Sequence, residues 1–227
     1  MDKNLSGRAK DLRRIEDPDF WSKVKIKLIL CLVEGATVLD VGCGSGLLSK
    51  TLMDKGYRVV AVDNDCRAVE TSKKKGVPAS LSDIKSWKTE EKFDCVILAD
   101  VLEHIEDDQS VMRKVHGMLK PAGCVVANVP SYHFLFGKHD EVLGHKRRYS
   151  DMELKAKLEA SGFKIEFFSH WNLLVLPVTV LTKISGKDYP LKALNISGLS
   201  VSLEKLLLLE LKVNKSFGLS ILCKARK

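Results

Sequence analysis

Three glycines at alternate positions, Gly42, Gly44 and Gly46, follow the run Val38-Leu39-Asp40-Val41 and precede a helical pattern beginning at Leu47. Glycine has no Cβ, so the chain can turn tightly here and press its backbone against a ligand. The dinucleotide-binding spacing GxGxxG would need its third glycine at position 47, which holds Leu47. A phosphate-gripping loop would continue Gly-Lys-Ser/Thr, which is absent. Asp40 beside the loop would repel a pyrophosphate and suits a ligand carrying an ammonium or a sulfonium. A second acid, Asp63, closes another apolar run seventeen residues after Gly46, where a carboxylate can accept both hydroxyls of a ribose. Asp65, two residues on, is the better candidate for capping the helix that follows. His104 lies just past a third apolar run, and an imidazole is suited to take a proton from an O–H or N–H nucleophile.

Those residues need a scaffold, and the hydrophobic pattern supplies one. Helical periodicity over 8–33 is broken near Asp17-Pro18-Asp19. Apolar, β-branched runs then predict strands at Thr37–Val41, Arg58–Asp63, Val77–Ser80, Phe93–Ala99, Cys124–Val129, Phe163–Phe168 and Phe217–Cys223. Amphipathic stretches between them predict helices at Leu47–Lys55, Cys66–Lys75, Gln109–Leu119 and Asp151–Ser161, the second and fourth closed by Gly76 and Gly162 and the third stopped by Pro121. Continuous apolar strands alternating with amphipathic helices predict a parallel sheet covered on both faces, with ligands beyond the carboxyl ends of the strands. Two stretches interrupt the alternation. Residues 131–149 read as a His- and Arg-rich loop, long enough that function is expected, with Ser150 capping the next helix. Residues 172–215 read as an apolar helical insertion with a break at Pro177 and the run Leu206–Leu209. It is expected to complete the core, the alternatives being a dimer face or a face toward a membrane surface.

Composition bounds the class. The chain has 227 residues, 45% hydrophobic and 29% charged, as expected of one globular domain. Its six cysteines (31, 43, 66, 95, 124 and 223) form no CxxC pair, and Cys95 and Cys124 sit in apolar runs, which fits a reducing, cytoplasmic setting. The N-terminal stretch Met1-Asp2-Lys3-Asn4-Leu5 lacks the apolar core of a signal peptide, and no apolar run approaches a bilayer span. Net charge is +8, and residues 183–227 hold nine Lys/Arg against three acids. Nucleic acid, an anionic lipid surface or a phosphorylated substrate would all suit that charge, although the bases are not interleaved with aromatics as in single-strand binders.

The segment Val38–Gly46 resembles motif I of class I S-adenosylmethionine-dependent methyltransferases, specifically a type 11/23-like subgroup akin to ubiquinone-biosynthesis methyltransferases. Asp94-Cys95-Val96-Ile97-Leu98-Ala99-Asp100-Val101-Leu102-Glu103-His104-Ile105 resembles motif IV, Leu119-Lys120-Pro121-Ala122-Gly123 the family's helix–turn–strand, and His139-Asp140-Glu141-Val142-Leu143-Gly144-His145-Lys146-Arg147-Arg148-Tyr149-Ser150 a segment of a subgroup linked with glycan and lipid assembly. The resemblance implies a Rossmann-like α/β fold, a seven-stranded mostly parallel sheet of order 3-2-1-4-5-7-6 with the last strand antiparallel. It implies one domain: a helical cap over 1–34, a cofactor-binding core over 35–130, a substrate or lid loop over 131–149 and the insertion over 172–215.

It further implies S-adenosylmethionine as cofactor and S-adenosylhomocysteine as product. Asp40, Gly42, Cys43, Gly44, Gly46, Asp63, Asn64, Ser82, Asp83, Ile84, Ala99, Asp100 and Lys25 would contact the cofactor, Asp63 at the ribose, Asp83 at the adenine amino group, the Ile84 backbone at the ring and Lys25 at the carboxylate. His104 and His145 are the candidate catalytic residues, and His139, Arg147, Arg148 and Tyr149 the candidate substrate contacts. No metal is expected: the acid three residues before Glu103 is Asp100, assigned to the cofactor, and the spacing of His133, His139 and His145 matches no zinc pattern. The expected reaction is methyl transfer to an O or N nucleophile of a small, or lipid- or glycan-linked, acceptor. The rivals are a nucleic-acid or protein methyltransferase, a non-catalytic cofactor-binding protein and, disfavoured by the glycine spacing, a nicotinamide oxidoreductase.

Overall fold

A computed structural model describes residues 20–185, 210 and 216–227. Its sheet has seven strands in the order β3-β2-β1-β4-β5-β7-β6: β1 Thr37–Val41, β2 Arg58–Asp63, β3 Ala79–Leu81, β4 Phe93–Ala99, β5 Leu119–Pro130, β6 Lys164–Trp171 and β7 Ser220–Arg226. β7 runs antiparallel to both its neighbours and the remaining pairs are parallel, as the family resemblance implies. The helices are α1 Phe20–Leu30, α2 Leu47–Asp54, α3 Cys66–Lys74, α4 Asp108–Met118, α5 Lys138–Leu143, α6 Asp151–Ala160 and α7 Leu176–Ser185.

Side chains alternate across a strand, and because both faces of this sheet are covered, both sets are apolar. Leu39, Val41, Val96, Leu98, Val125 and Ala127 pack with Val111, Met112 and Val115 of α4 and Leu154 and Leu158 of α6. Their sequence neighbours Val38, Cys95, Ile97, Cys124 and Val126 pack with Val24, Leu28 and Ile29 of α1 and Leu48 and Leu52 of α2. Cys95 and Cys124 are free and buried.

The helices shift by one residue at their ends, and four strands depart further from the sequence pattern. β3 starts at Ala79 instead of Val77, after Pro78. β5 starts at Leu119, directly on the end of α4, so Pro121 lies within a strand instead of only stopping a helix. β6 runs on to His170 and Trp171, both buried. β7 begins three residues later than the apolar run, at Ser220, and extends through Lys224 and Arg226. Those two cations are tolerated in the strand because Glu34 and Glu166 pair with them. The 131–149 segment is also not a plain loop. It contains a 3-10 turn at His133–Leu135 and α5. Pro177 falls in the first turn of α7 and starts that helix instead of breaking it. The apolar run Leu206–Leu209 and the part of the 8–33 helical stretch before residue 20 lie outside the described residues. Among the described residues no helix is long and apolar enough to cross a membrane.

One carboxylate fastens the lower edge of the sheet. Asp94 Oδ2 accepts from the backbone N–H groups of Ala36 (3.0 Å) and Thr37 (2.9 Å) and from Thr37 Oγ1 (2.8 Å), and its Oδ1 takes Lys120 Nζ at 3.0 Å. Burial opposes its ionisation, but Lys120, Thr37 and the Ala36 amide outweigh it and hold Asp94 well below the usual carboxylate range. Removing the carboxylate leaves two backbone donors at the start of β1 without their partner. Asp94→Ala is expected to cost about 1.5–3 kcal/mol in urea denaturation, and a loss under about 0.5 kcal/mol, the scale of an ordinary surface change, would show the anchor to be dispensable.

Candidate functional site at the carboxyl ends of the strands

The glycine loop joins β1 to α2 with Gly42, Gly44 and Gly46 all at positive φ (68°, 54° and 75°). Their surroundings differ. A Cβ on Gly42 would stand 2.6 Å from Val101 Cγ2 and one on Gly46 would stand 2.2 Å from Ser72 Oγ, whereas one on Gly44 meets nothing within 4 Å. Gly42 and Gly46 are therefore required by protein packing, and Gly44 faces open space. The Gly44 N–H donates to Asp63 Oδ2 (2.8 Å) and the Asp65 N–H to Asp63 Oδ1 (2.9 Å). The Asp63 carboxylate is thus aimed by backbone groups and retains lone pairs on both oxygens. Asp65, as expected, caps α3 through the Arg67 and Ala68 amides, and Asn64 between them is exposed.

Several predicted contacts turn out to serve the scaffold. Asp40 is buried, and its Oδ2 accepts from Ser49 Oγ at 2.5 Å. It braces the loop from behind and does not face a ligand. Burial pushes its carboxyl up to about 7, against the Ser49 hydrogen bond and with a contribution from Asp63. The Cys43 side chain is buried with Ala61, Val69, Val77 and Ala79, so only its backbone faces the loop. Asp83 accepts from the Lys85 amide (2.8 Å) and pairs with Lys85 Nζ (3.1 Å). Ile84 points into the core, leaving its backbone outward, and the Ser82 amide donates to the Asp63 carbonyl (2.8 Å).

Asp100, directly after β4, is a non-glycine residue at φ 57°. Its amide donates to the Asn128 carbonyl (2.9 Å), its Oδ1 accepts Asn128 Nδ2 (2.5 Å) and its Oδ2 is paired with Lys25 Nζ. Burial raises the Asp100 carboxyl, but Lys25, Asn128 and His145 outweigh it and hold it below its ordinary value. Lys25 is thus ion-paired with Asp100 at the end of β4. Asn128 Oδ1 in turn accepts from Trp171 Nε1 (2.8 Å). Trp21, Ser22, Lys25, Asp100, Asn128, Trp171 and Ser220 line a cleft of about 140 Å³. Of these, sequence reasoning named only Lys25 and Asp100 and missed Trp21, Ser22, Asn128, Trp171 and Ser220; a polar Asn at the end of the apolar run Cys124–Val129 was the available signal.

The 131–149 segment is also largely internal. Asp140 accepts from the Gly137 amide, Arg148 Nε (2.9 Å) and His145 Nδ1 (2.9 Å). Tyr149 is buried with its hydroxyl on Asp108 Oδ2 (2.7 Å), an acid that also takes Lys157 (2.6 Å). Arg147 donates to the Glu106 carbonyl (2.8 Å). Arg147, Arg148 and Tyr149 are thus bonded to Glu106, Asp140 and Asp108 respectively, and His139 is half-buried on α5.

What this scaffold does present is His145. Its ring stands 4.8 Å from that of His104, edge to face. His104 is exposed on the 3-10 turn Leu102–His104, with Nδ1 3.3 Å from the Gly144 carbonyl. Glu103, 1% exposed, lies between them with Oε2 lacking any hydrogen-bond partner. Burial and the neighbouring Asp100 charge raise its carboxyl well above the ordinary value. The sequence separates His104 from His145 by 41 residues, so their meeting, and the part of Glu103 in it, was not visible there.

Comparison with known proteins adds to this geometry. A family described as "Methyltransferase domain" matches residues 14–167. A ubiquinone biosynthesis O-methyltransferase of Xanthomonas oryzae is 35% identical over 97 residues, 39% of this chain and 41% of that protein; the match spans well under half of the relative. Among solved structures, a SAM-dependent methyltransferase of Thermotoga maritima, titled a possible histamine N-methyltransferase, superposes with TM-score 0.68 at 15% identity over 96% of this chain and 95% of its own. The N-methyltransferase NodS of Bradyrhizobium japonicum, in complex with S-adenosyl-L-homocysteine, gives TM-score 0.60 at 15% identity over 94% of this chain and 90% of its own.

The buried Asp40 makes stability depend on pH. Its folded value near 7 exceeds the ordinary 3.8, so the folded state holds the proton, and its contribution is present below about 4 and lost as pH rises toward about 7. In Asp40→Asn the side chain cannot ionise and still accepts from Ser49. Urea midpoints of the ligand-free variant are expected to gain on wild type across that interval and to run parallel above it. A gap that stays constant from about pH 4 to about pH 7 would exclude an ionising Asp40.

Proposed function

Because the chain belongs to this methyltransferase domain family, we propose that it transfers a methyl group from S-adenosylmethionine to an oxygen or nitrogen nucleophile of a small acceptor. The observation that carries the reading is the Gly44–Asp63 pair: an open glycine whose N–H aims a carboxylate with spare lone pairs, at the carboxyl ends of β1 and β2. Gly44 gives the cofactor's backbone-hugging approach, Asp63 accepts the two ribose hydroxyls, and the Ser82–Ile84 turn offers Asp83 and backbone groups to the adenine. The Ala99–Asp100 end of β4 borders the methionine portion. When bound, S-adenosylmethionine supplies a methyl carbon already made electrophilic by its sulfonium. The protein's part is positioning: nucleophile, carbon and sulfur in line with water kept out. The acceptor is activated at the Glu103–His104–His145 cluster just beyond β4, and His104 and His145 are the proposed catalytic residues.

An oxygen acceptor is favoured by the O-methyltransferase relative, and a lipid- or glycan-linked one by the apolar side chains exposed on α7, Leu181 and Ile184. The nucleic-acid alternative draws no support from the charge of the last strand, since Lys224 and Arg226 are spent on Glu34 and Glu166.

Calorimetry with S-adenosylhomocysteine tests the cofactor site. Micromolar binding, about −8 kcal/mol, is expected for wild type, with at least a tenfold loss in Asp63→Ala; absent binding to wild type overturns the reading. His104→Ala is expected to cut turnover roughly 10²–10⁴-fold at unchanged S-adenosylhomocysteine affinity, measured as product formed with a panel of phenolic and amine acceptors. Loss of affinity with intact turnover would remove His104 from the chemistry, and binding without turnover on any acceptor would favour a non-catalytic protein.

A further inference from the structure

We propose that the cleft between α1 and the ends of β4, β5 and β6 is the acceptor pocket, and that it takes an uncharged, single aromatic ring bearing the O–H or N–H that is methylated. This rests on the methyltransferase reading for the role of the ligand. Strand order puts the cleft beside the proposed cofactor site and outside it. Along the sheet β3-β2-β1-β4-β5-β7-β6, that reading uses the turns after β3, β2, β1 and β4. The next ends are those of β5 with Asn128 and β6 with Trp171, with Ser220 opening the antiparallel β7, and all three residues line the cleft. Asp100, which closes β4, is the wall the two sites share.

Size, shape and charge set the class of ligand. The cleft holds about 140 Å³, and a cavity of about 150 Å³ holds benzene. One ring fits, whereas a nucleoside or a disaccharide is too large. Two indoles contribute to the walls, and both are held. Trp21 meets Phe20 edge to face with centroids 5.2 Å apart and packs with Leu135, Val175 and Leu219. Trp171 is 3% exposed and donates from Nε1 to Asn128 Oδ1 at 2.8 Å. The chain beyond Trp171 is held as well, because Glu210 accepts from the amides of Asn172 (3.2 Å) and Leu173 (2.5 Å). Side chains already fixed lose little freedom when a ligand enters, and indoles favour a flat partner, offset or edge-on. The charge is balanced: Asp100 has one oxygen on Lys25 and the other on Asn128 Nδ2, so the ion pair in the wall is matched within itself. An alkylammonium or a phosphate would enter with its own charge unpaired, which is costly. A phenol or an aniline, neutral at pH 7, enters without that cost. The Ser220 hydroxyl, donor and acceptor at once, is placed to read a polar substituent on the ring.

The test is NMR of the full chain with isotope-labelled indoles. Its tryptophans are Trp21, Trp87 and Trp171, and Trp87 packs in the other core layer, which makes it an internal control. Phenol, aniline, benzylamine, benzoate and cyclohexanol are titrated with and without S-adenosylhomocysteine. Phenol and aniline are expected to shift the Trp21 and Trp171 indole N–H signals and not that of Trp87, at dissociation constants of about 1 mM. The two charged compounds and the non-planar cyclohexanol should bind at least tenfold more weakly. Trp21→Leu should weaken phenol binding at least tenfold, and Trp87→Phe should bind as wild type does. Should Trp21→Leu fail to fold, Ser220→Val, which narrows the cleft from β7 with a residue that suits a strand, carries the same expectation. Equal binding of the charged compounds, or unchanged affinity in the cleft variants, overturns the proposal. So does loss of phenol binding on addition of S-adenosylhomocysteine, which would give the cleft to the cofactor. The two readings fail separately: S-adenosylhomocysteine binding without phenol binding sinks only the acceptor pocket, and phenol binding without S-adenosylhomocysteine binding sinks the methyltransferase reading and leaves a ring-binding cleft.

Discussion

The carboxylate of Asp100 is the constraint on which the site depends. It joins α1 through Lys25, β5 through Asn128 and, by way of Asn128, β6 through Trp171. A non-glycine residue in the left-handed region costs on the order of 1 kcal/mol, and two hydrogen bonds to Asn128 plus an ion pair offset that cost. The consequence is directional. Turning the chain at Asp100 ends β4 abruptly and sends it into the 3-10 turn that carries Glu103 inward and His104 outward. Without the turn, the residues beyond β4 would continue away from the cleft.

The sheet order places this turn where a ligand can use it. β1 connects outward to β2 and β3, while β4 and β5 extend the sheet on its other side, so the chain reverses its direction of growth between β1 and β4. The loops after β1 and β4 part there and leave a crevice. Gly42 is held at its floor by Val101, the residue after Asp100. The cofactor loop and the turn toward the histidines therefore share a wall, and a side chain at position 42 would disturb both.

The sequence disclosed the parts of this arrangement that depend on local pattern. β1, β2 and β4 were legible to the residue because each is an apolar run bounded by a turn, and Asp63 and Asp65 separated cleanly because only one of them stands where a cap must. β7 was misplaced because its end is held by charges: Lys224 and Arg226 look like the close of a strand until Glu34 and Glu166, 190 and 60 residues away in the respective closest pairs, are seen to meet them. Arg148 and Tyr149 looked available for substrate for the same reason. Their partners Asp140 and Asp108 are acids that sequence cannot show to be buried. The Glu103–His104–His145 cluster is the converse case, ordinary residues made a site by a contact across 41 positions.

The chain's net charge of +8 suggests an anionic partner, but the pairing of cations around the cleft argues otherwise. Lys25 is spent on Asp100, Arg148 on Asp140 and Lys157 on Asp108. Among the described residues, Asp63 is bonded by backbone amides and Glu103 Oε2 has no donor at all. Asp63 beside the glycine loop is thus a carboxylate with no ion-pair partner among the described residues, in a protein that has cations in excess, whereas burial and Asp100 push the Glu103 carboxyl toward its neutral form. Local potential follows the nearest unpaired charges more than the total, and at the glycine loop the nearest is the negative Asp63. A positively charged cofactor is the occupant that this loop stabilises, and a phosphate-bearing dinucleotide is the kind it repels.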